Sequence, residues 1–507
     1  MSVGGGVVSG NGAGGAGGPP SIGSALLRVG LALALLFGGI GAGLGYWQVV
    51  QAQALSSEPG NPLVQSAARN APRGRIFDAS GETVAFNDRG ADGQRLRRYP
   101  YPAMAPVLGY QSLRFGTAGL ERAFDAELTG LKPLGPGGDM MRKFLSDPYD
   151  PSDLHLSVDV RLQAAAAAAL GGDRGSVVAI EPATGRVLAL VSNPTFDANR
   201  LVDPASGGEY LESLRGDRST PLLNRATQGR FVPGSVFKIV TATAALGSGA
   251  IDPATTYPTD EEYDTGFRIE GFTINDSARS FQRDHPLDFY EATEVSSNIW
   301  FAHAALDTGA DELLASAQRF GFGSALDFDL PTTASQVTSG DGPLSGFTDR
   351  VELANAAYGQ GEILVTPLQM AMVAACVAND GVLMRPHLVD RLESQSGRVR
   401  DVGPSELRTV MSAADAAAIT QAMVQAVEGE YGQFYAGGAK VAGVTTAGKS
   451  GSAQLAAGRP HSWFIGFAPA EQPRIAIAVI VERAGSGSEV AVPLGGDLMS
   501  LYLEIAD

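Results

Sequence analysis

Phe231-Val232-Pro233-Gly234-Ser235-Val236-Phe237-Lys238 sets a serine at the opening of a helix and a lysine one turn further on. The Pro-Gly pair precedes an Ala- and Thr-rich run at 239–246 that reads as the continuation of that helix. Spacing i, i+3 puts both side chains on one face. The helix N-terminus favours negative charge on the serine oxygen. A lysine held among apolar neighbours can have its pKa lowered enough to act as a base. Lysine is also scarce here: of 37 basic residues only Lys132, Lys143, Lys238, Lys440 and Lys449 are Lys. Guanidinium does not release its proton at usable pH, so a lysine kept among arginines can do what they cannot. Standing alone, S-x-x-K is a common pattern, and a solvated helical lysine is its ordinary meaning.

Two further segments change that weight. Ser296-Ser297-Asn298 comes later in the chain, at the end of the stretch 287–295 and before the apolar run 299–301. A polar triplet inside apolar sequence needs hydrogen-bond partners, and a helix cap is the plain alternative. Lys449-Ser450-Gly451-Ser452 comes later still and holds a second of the scarce lysines. The order S-x-x-K, S-x-N, K-[ST]-G is a strong signal where each member alone is weak.

Around these segments the pattern is α/β. Residues 177–180 and 187–191 read as strands joined by the turn Pro182-Ala183-Thr184-Gly185. Residues 367–378 read as a helix stopped by Asn379-Asp380-Gly381. The apolar runs 463–467 and 475–481 flank a Pro-bearing turn at 469–473, a hairpin signal, and 498–505 fits a last helix. Strands at both ends with helices between predict a sheet closed by segments far apart in the chain. Upstream, 51–155 is rich in Arg, Gly and Pro with short extended pieces such as Arg75-Ile76-Phe77-Asp78, and reads as a smaller β-containing module.

Residues 1–24 carry no charged side chain and read as a flexible tail. Their formal G-x-G-x-x-G at 12–17 has no strand before it or helix after it and carries no weight. After Arg28 the run 29–50 is apolar and, as a helix, about 30 Å long, enough to cross a bilayer. Ala52-Gln53-Ala54 resembles a signal cleavage site, but the run exceeds the usual ~7–15 residues of a signal core. The expected organisation is a tail at 1–24, an anchor at 25–50, a module at 51–155 and a large domain at 156–507. Arg28 before the span and Glu58 after it favour the large domain outside the cytoplasm. Gly39-x-x-x-Gly43 and Gly41-x-x-x-Gly45 would let a partner helix approach closely, although Gly is common in membrane helices.

Composition removes other classes. A net charge of -17 argues against nucleic acid as a partner. One cysteine, Cys376, allows no intrachain disulfide. Five scattered histidines and no H-E-x-x-H give no expected metal. Gly443 to Ser450 satisfies the P-loop pattern letter for letter, but a P-loop must open a helix, and 451–460 is too short and Gly-rich for one. No G-x-S-x-G elbow is present, and no E-x-x-L-N segment follows Asn298 to supply the water-activating Glu of a class A β-lactamase.

With these motifs the chain resembles a class B penicillin-binding protein, of the penicillin-binding protein A type, from about residue 70 onward. Arg73-Gly74-Arg75-Ile76-Phe77-Asp78, Gly119-Leu120-Glu121-Arg122, Asn224-Arg225-Ala226, Tyr358-Gly359-Gln360-Gly361, Thr366-Pro367-Leu368-Gln369 and Trp463-Phe464-Ile465-Gly466-Phe467 add to the three motifs. Ser450 stands where that family usually has Thr, and Ser452 where it often does; both keep a hydroxyl.

The resemblance implies the penicillin-binding transpeptidase fold, an antiparallel sheet flanked by helices. It also implies a non-catalytic pedestal at 51–155 and a single-pass membrane protein with its catalytic domain outside the cytoplasm. The implied activity is D,D-transpeptidation of peptidoglycan stem peptides, with covalent binding of β-lactams and no cofactor. Ser235 would attack the D-Ala-D-Ala carbonyl and Lys238 take its proton. Ser296 would relay a proton to the leaving D-Ala, and Asn298 would orient Lys238. Lys449, Ser450, Gly451 and Ser452 would hold the substrate carboxylate and the carbonyl. The implied partner is a SEDS-family membrane glycosyltransferase. An idle scaffold of a wall-synthesis complex is the alternative function, and a P-loop NTPase a remote third.

Overall fold

The computed structural model describes residues 22–47, 72–89, 95–130, 150–279, 281, 284–340, 342 and 344–506. The chain forms two units, 1–64 with 133–147, and 65–132 with 148–507. In the first, the helix Ile22–Gly45 is 24 residues long, about 36 Å at 1.5 Å per residue. It starts ahead of the expected anchor boundary, just past Pro19 and Pro20, and no further proline follows from Ile22 to Leu27. Residues 1–21 of the expected tail and 48–50 of the expected anchor lie outside the described residues.

In the second unit a five-stranded antiparallel sheet runs in the order Ala447–Ala453, His461–Ala468, Ile475–Val481, Gly175–Ile180, Val187–Asn193. The expected strands are all present, and the sheet is closed by distant segments: Ala478 pairs with Val178 in the centre. The middle strands are buried on both faces, which is why Ile475 to Val481 reads as an unbroken apolar run. One face packs against the helix Pro367–Ala378, buried from Pro367 to Val377. The other packs against Val160–Leu170 and Ala491–Ala506. The last helix therefore begins at Ala491, two turns before its apolar pattern suggests. Pro493 is tolerated in its first turn, and Gly495 is needed because a Cβ there would lie 2.3 Å from the Phe464 ring.

A second sheet has six strands in the order Val399–Asp401, Val389–Ser394, Ser152–Leu156, Ile76–Phe77, Thr83–Arg89, Arg95–Arg98. It draws strands from both sides of residue 155. The pair Ile76–Phe77 with Ser152–Leu156 is parallel and the others antiparallel. Near it Glu121 is fully buried between Arg73 and Arg97, at 2.7 and 2.6 Å. Removing the Glu121 carboxylate would leave buried guanidinium charge uncompensated.

Candidate active site

Ser235 lies in the one-turn 3-10 segment Gly234–Phe237, which runs into the helix Lys238–Ser248. Three outside contacts hold this turn. Gly234 N donates to Gly359 O at 2.9 Å, Phe231 exchanges two 2.9 Å backbone hydrogen bonds with Val365, and Trp463 Nε1 donates to Val232 O at 3.0 Å. The strand Ala447–Ala453 passes so close that a Cβ on Gly451 would lie 3.0 Å from Pro233 O. The nucleophile's turn is thereby seated on the edge of the five-stranded sheet.

Lys238 and Lys449 are fully buried. Lys238 Nζ donates to Ser296 O at 2.7 Å and to Asn298 Oδ1 at 2.8 Å, and lies 3.1 Å from Ser235 Oγ and 3.2 Å from Ser296 Oγ. Asn298 Nδ2 donates to Asn275 O at 2.9 Å, which turns its Oδ1 towards the lysine. A carbonyl and an amide oxygen can only accept. Together they use both N–H groups of a neutral amine and leave its lone pair for a hydroxyl proton. Burial holds the Lys238 pKa well below its ordinary value, and Lys449 adds to that lowering. Burial brings the Lys449 pKa down to about 7.

Ser296 joins the two amines: its Oγ accepts from Lys449 Nζ at 2.8 Å. The residue has φ +58, in the left-handed region, which costs a side-chain-bearing residue on the order of 1–3 kcal/mol. In that conformation its carbonyl reaches Lys238 while its hydroxyl reaches Lys449. Ser297 caps the helix Asn298–Thr308, accepting from Trp300 N at 3.1 Å. The triplet is thus a helix cap in its middle residue and part of the lysine network in the outer two.

A cavity of about 640 Å³ opens over Ser235, Ser296 and Asn298. Ser450 and Ser452 line it, whereas Gly451 is buried under Trp463 and Pro233. Gly487 N donates to Ser452 Oγ at 2.9 Å. All the expected site residues therefore meet within one neighbourhood. Lys449 and Ser450 sit mid-strand, paired with Ile465 and Phe464, so the P-loop spelling has no helix to serve. Among lining residues that motif reading did not single out are Asp276, Asn355 and Phe434. Tyr358 and Gln360, quoted only for their family likeness, also line the cavity. Asn275-Asp276-Ser277 looks like any polar loop in the sequence.

The family description Penicillin binding protein transpeptidase domain matches residues 175–500, and Penicillin binding protein A dimerisation domain matches 73–136. The first match spans more than half of the chain, and the chain belongs to the penicillin-binding transpeptidase family. It is similar to the peptidoglycan D,D-transpeptidase PbpA of Mycolicibacterium smegmatis, 36% identical over 93% of this chain and 97% of the relative. The PbpA of Mycobacterium tuberculosis is 32% identical over 90% and 94%. Among solved structures, the penicillin G acyl-enzyme complex of penicillin-binding protein A from M. tuberculosis superposes with a TM-score of 0.75 at 30% identity. The match covers 86% of this chain and 100% of that one.

Proposed function

We propose that this chain is a serine D,D-transpeptidase that cross-links peptidoglycan stem peptides through a Ser235 acyl-enzyme and is acylated by β-lactams. The observation that carries this reading is the Lys238 amine, buried, with two obligate acceptors and Ser235 Oγ at 3.1 Å. Ser235 Oγ attacks the carbonyl of the penultimate D-Ala while its proton passes to Lys238 Nζ. The C–N bond to the terminal D-Ala breaks, and that nitrogen takes a proton relayed by Ser296. The ester left on Ser235 is attacked by an amine of a second stem peptide. That amine's proton returns through Lys238 to Ser235 Oγ, and the new amide leaves. Asn298 orients Lys238, and Lys449, Ser450, Gly451 and Ser452 form the wall that holds the substrate carboxylate. An assembled nucleophile and base speak against the idle-scaffold alternative. Relatives named D,D-transpeptidases and an acyl-enzyme structure of one of them support the same reading.

A fluorescent penicillin is expected to label the full chain covalently, with the adduct mapped to Ser235 by mass spectrometry. Ser235→Ala should show no label; a labelled Ala variant would place the nucleophile elsewhere.

The two lysines set opposite pH limbs. Lys238 must be uncharged to accept a proton, so acylation is lost as pH falls through its lowered pKa. Lys449 must be charged to hold a carboxylate, so recognition by the free enzyme weakens as pH rises through about 7. The second-order acylation constant, which reports the free enzyme, is expected to be bell-shaped. A rate still rising well above pH 7 would show that a charged Lys449 is not required.

We further assign residues 51–155 as a non-catalytic pedestal and 156–507 as the transpeptidase domain. The helix Ile22–Gly45 serves as a single-pass anchor in the cell membrane, with the catalytic domain outside the cytoplasm. Support for the anchor is its apolar length and the closing Tyr46 and Trp47, residue types enriched where a bilayer meets water. Two glycine pairs, Gly39/Gly43 and Gly41/Gly45, lie on different sides of this helix, and either suits close approach of a SEDS-family glycosyltransferase helix.

A further inference from the structure

The site wall contains one buried anion that the reaction above does not use. Asp276 and Arg279 form an ion pair at 2.9 Å, with 1% and 2% of their side chains exposed. Asp276 spends both oxygens on the start of the helix Asn298–Thr308. Its Oδ1 accepts from Asn298 N at 2.5 Å and Ile299 N at 3.0 Å; its Oδ2 accepts from Ser297 Oγ at 2.8 Å and Arg279 Nη1 at 2.9 Å. The first two N–H groups of a helix have no partner within it. Ser297 serves the third, and Asp276 serves these two. Arg279 is held in turn, its guanidinium 4.6 Å from the centre of the Tyr263 ring and its own backbone N–H donating to Tyr263 Oη at 2.5 Å.

Asn298 is thus gripped at both ends. Its backbone is tied to Asp276, its side-chain Nδ2 to Asn275 O, and its Oδ1 faces the Lys238 amine. We propose that Asp276, clamped by Arg279, is a positioning residue for acyl transfer: it fixes Asn298, and through Asn298 the Lys238 amine against Ser235. This inference rests on the acyl-transfer reading and extends it to a residue outside the three motifs.

The pair also sets the charge around the base. The groups facing Lys238 are Lys449, Asp276 and Arg279, with the neutral Ser235, Ser296 and Asn298, and the Phe301 ring 5.5 Å away. Asp276 favours a charged Lys238, and Lys449 and Arg279 disfavour it. Neutralising either member of the pair moves the acid limb of acylation, and the two move it in opposite directions. A helix cap whose charge does not reach the base would not produce that signature.

The test measures the second-order acylation constant of the full chain with a fluorescent penicillin across pH, for the unmodified protein, Asp276→Asn and Arg279→Gln, with thermal unfolding alongside. Asp276→Asn keeps an oxygen for the helix start and removes the charge; Arg279→Gln keeps a donor. Both are expected to acylate about 10- to 100-fold more slowly, because a misplaced reacting group costs about that much. The acid limb should move to lower pH in Asp276→Asn and to higher pH in Arg279→Gln. Unchanged rates in both variants would overturn the inference. So would slower rates whose acid limbs stay in place or move together, which would leave Asp276 a structural cap. If the unmodified chain takes no label, the acyl-transfer reading itself has failed, an outcome distinct from either.

Discussion

Lys238→Arg is expected to abolish acylation of Ser235 although it keeps the positive charge and most of the side-chain volume. The native amine works because it can be neutral. Its two N–H groups are committed to Ser296 O and Asn298 Oδ1, and its lone pair is free for the Ser235 proton at 3.1 Å. Guanidinium has no lone pair to offer and stays charged at any usable pH. It is also wider and would be forced into a fully buried slot beside Lys449 and the Phe301 ring. Loss of a general base costs about 10²- to 10⁴-fold, and the added bulk should take penicillin labelling below detection. Stopped-flow acylation checks it. An Arg variant acylating within about tenfold of the unmodified protein would show that the proton goes elsewhere.

Gly359→Ala is expected to disable the enzyme from outside its motifs. Gly359 has φ +78, and a Cβ there would lie 1.9 Å from Gly234 O and 2.6 Å from Gly234 C. The left-handed conformation alone costs a residue with a Cβ about 1–2 kcal/mol. The overlap cannot be relieved by a rotamer, because both partners are backbone. The turn bearing Ser235 must shift, and it would strain the 2.9 Å hydrogen bond from Gly234 N to Gly359 O. Acylation is expected to fall about 100-fold, and the melting temperature by several degrees. Unaltered acylation with a lowered melting temperature would show that the turn is not what positions the serine.

The parts of this structure that were legible in the sequence are those with a local signature. The strands at 175–180 and 187–193, the terminal hairpin and the helix Pro367–Ala378 follow from apolar runs and their stop signals. The three motifs were legible because each pairs a hydroxyl or amide with a scarce lysine or an apolar setting. The six-stranded sheet was not, since Val389–Ser394 pairs with Ser152–Leu156 from the far side of two of the three motifs, and no short window records that. Asp276 was invisible for a related reason: it caps a helix that starts only at Asn298, while the visible cap signal, Ser297, lies next to the helix. The start of the last helix was obscured by Pro493, Gly495 and Gly496, which are breakers in isolation; Pro493 fits the first turn, Gly495 packs on Phe464, and Gly496 packs on the backbone of Gly438 and Ala439.

The central pairing of Ile475–Val481 with Gly175–Ile180 bears on how such a chain is made. While a ribosome is still reading the long stretch between them, the first two strands have no neighbour on their inner edge, and the segment bearing Lys449 has no sheet to join. The reactive serine therefore stays unassembled in every nascent chain and is completed only as the C-terminal strands emerge. Such late, long-range closure makes for slow maturation. It also means that a prematurely ended polypeptide, even one carrying all three motifs, would be chemically silent.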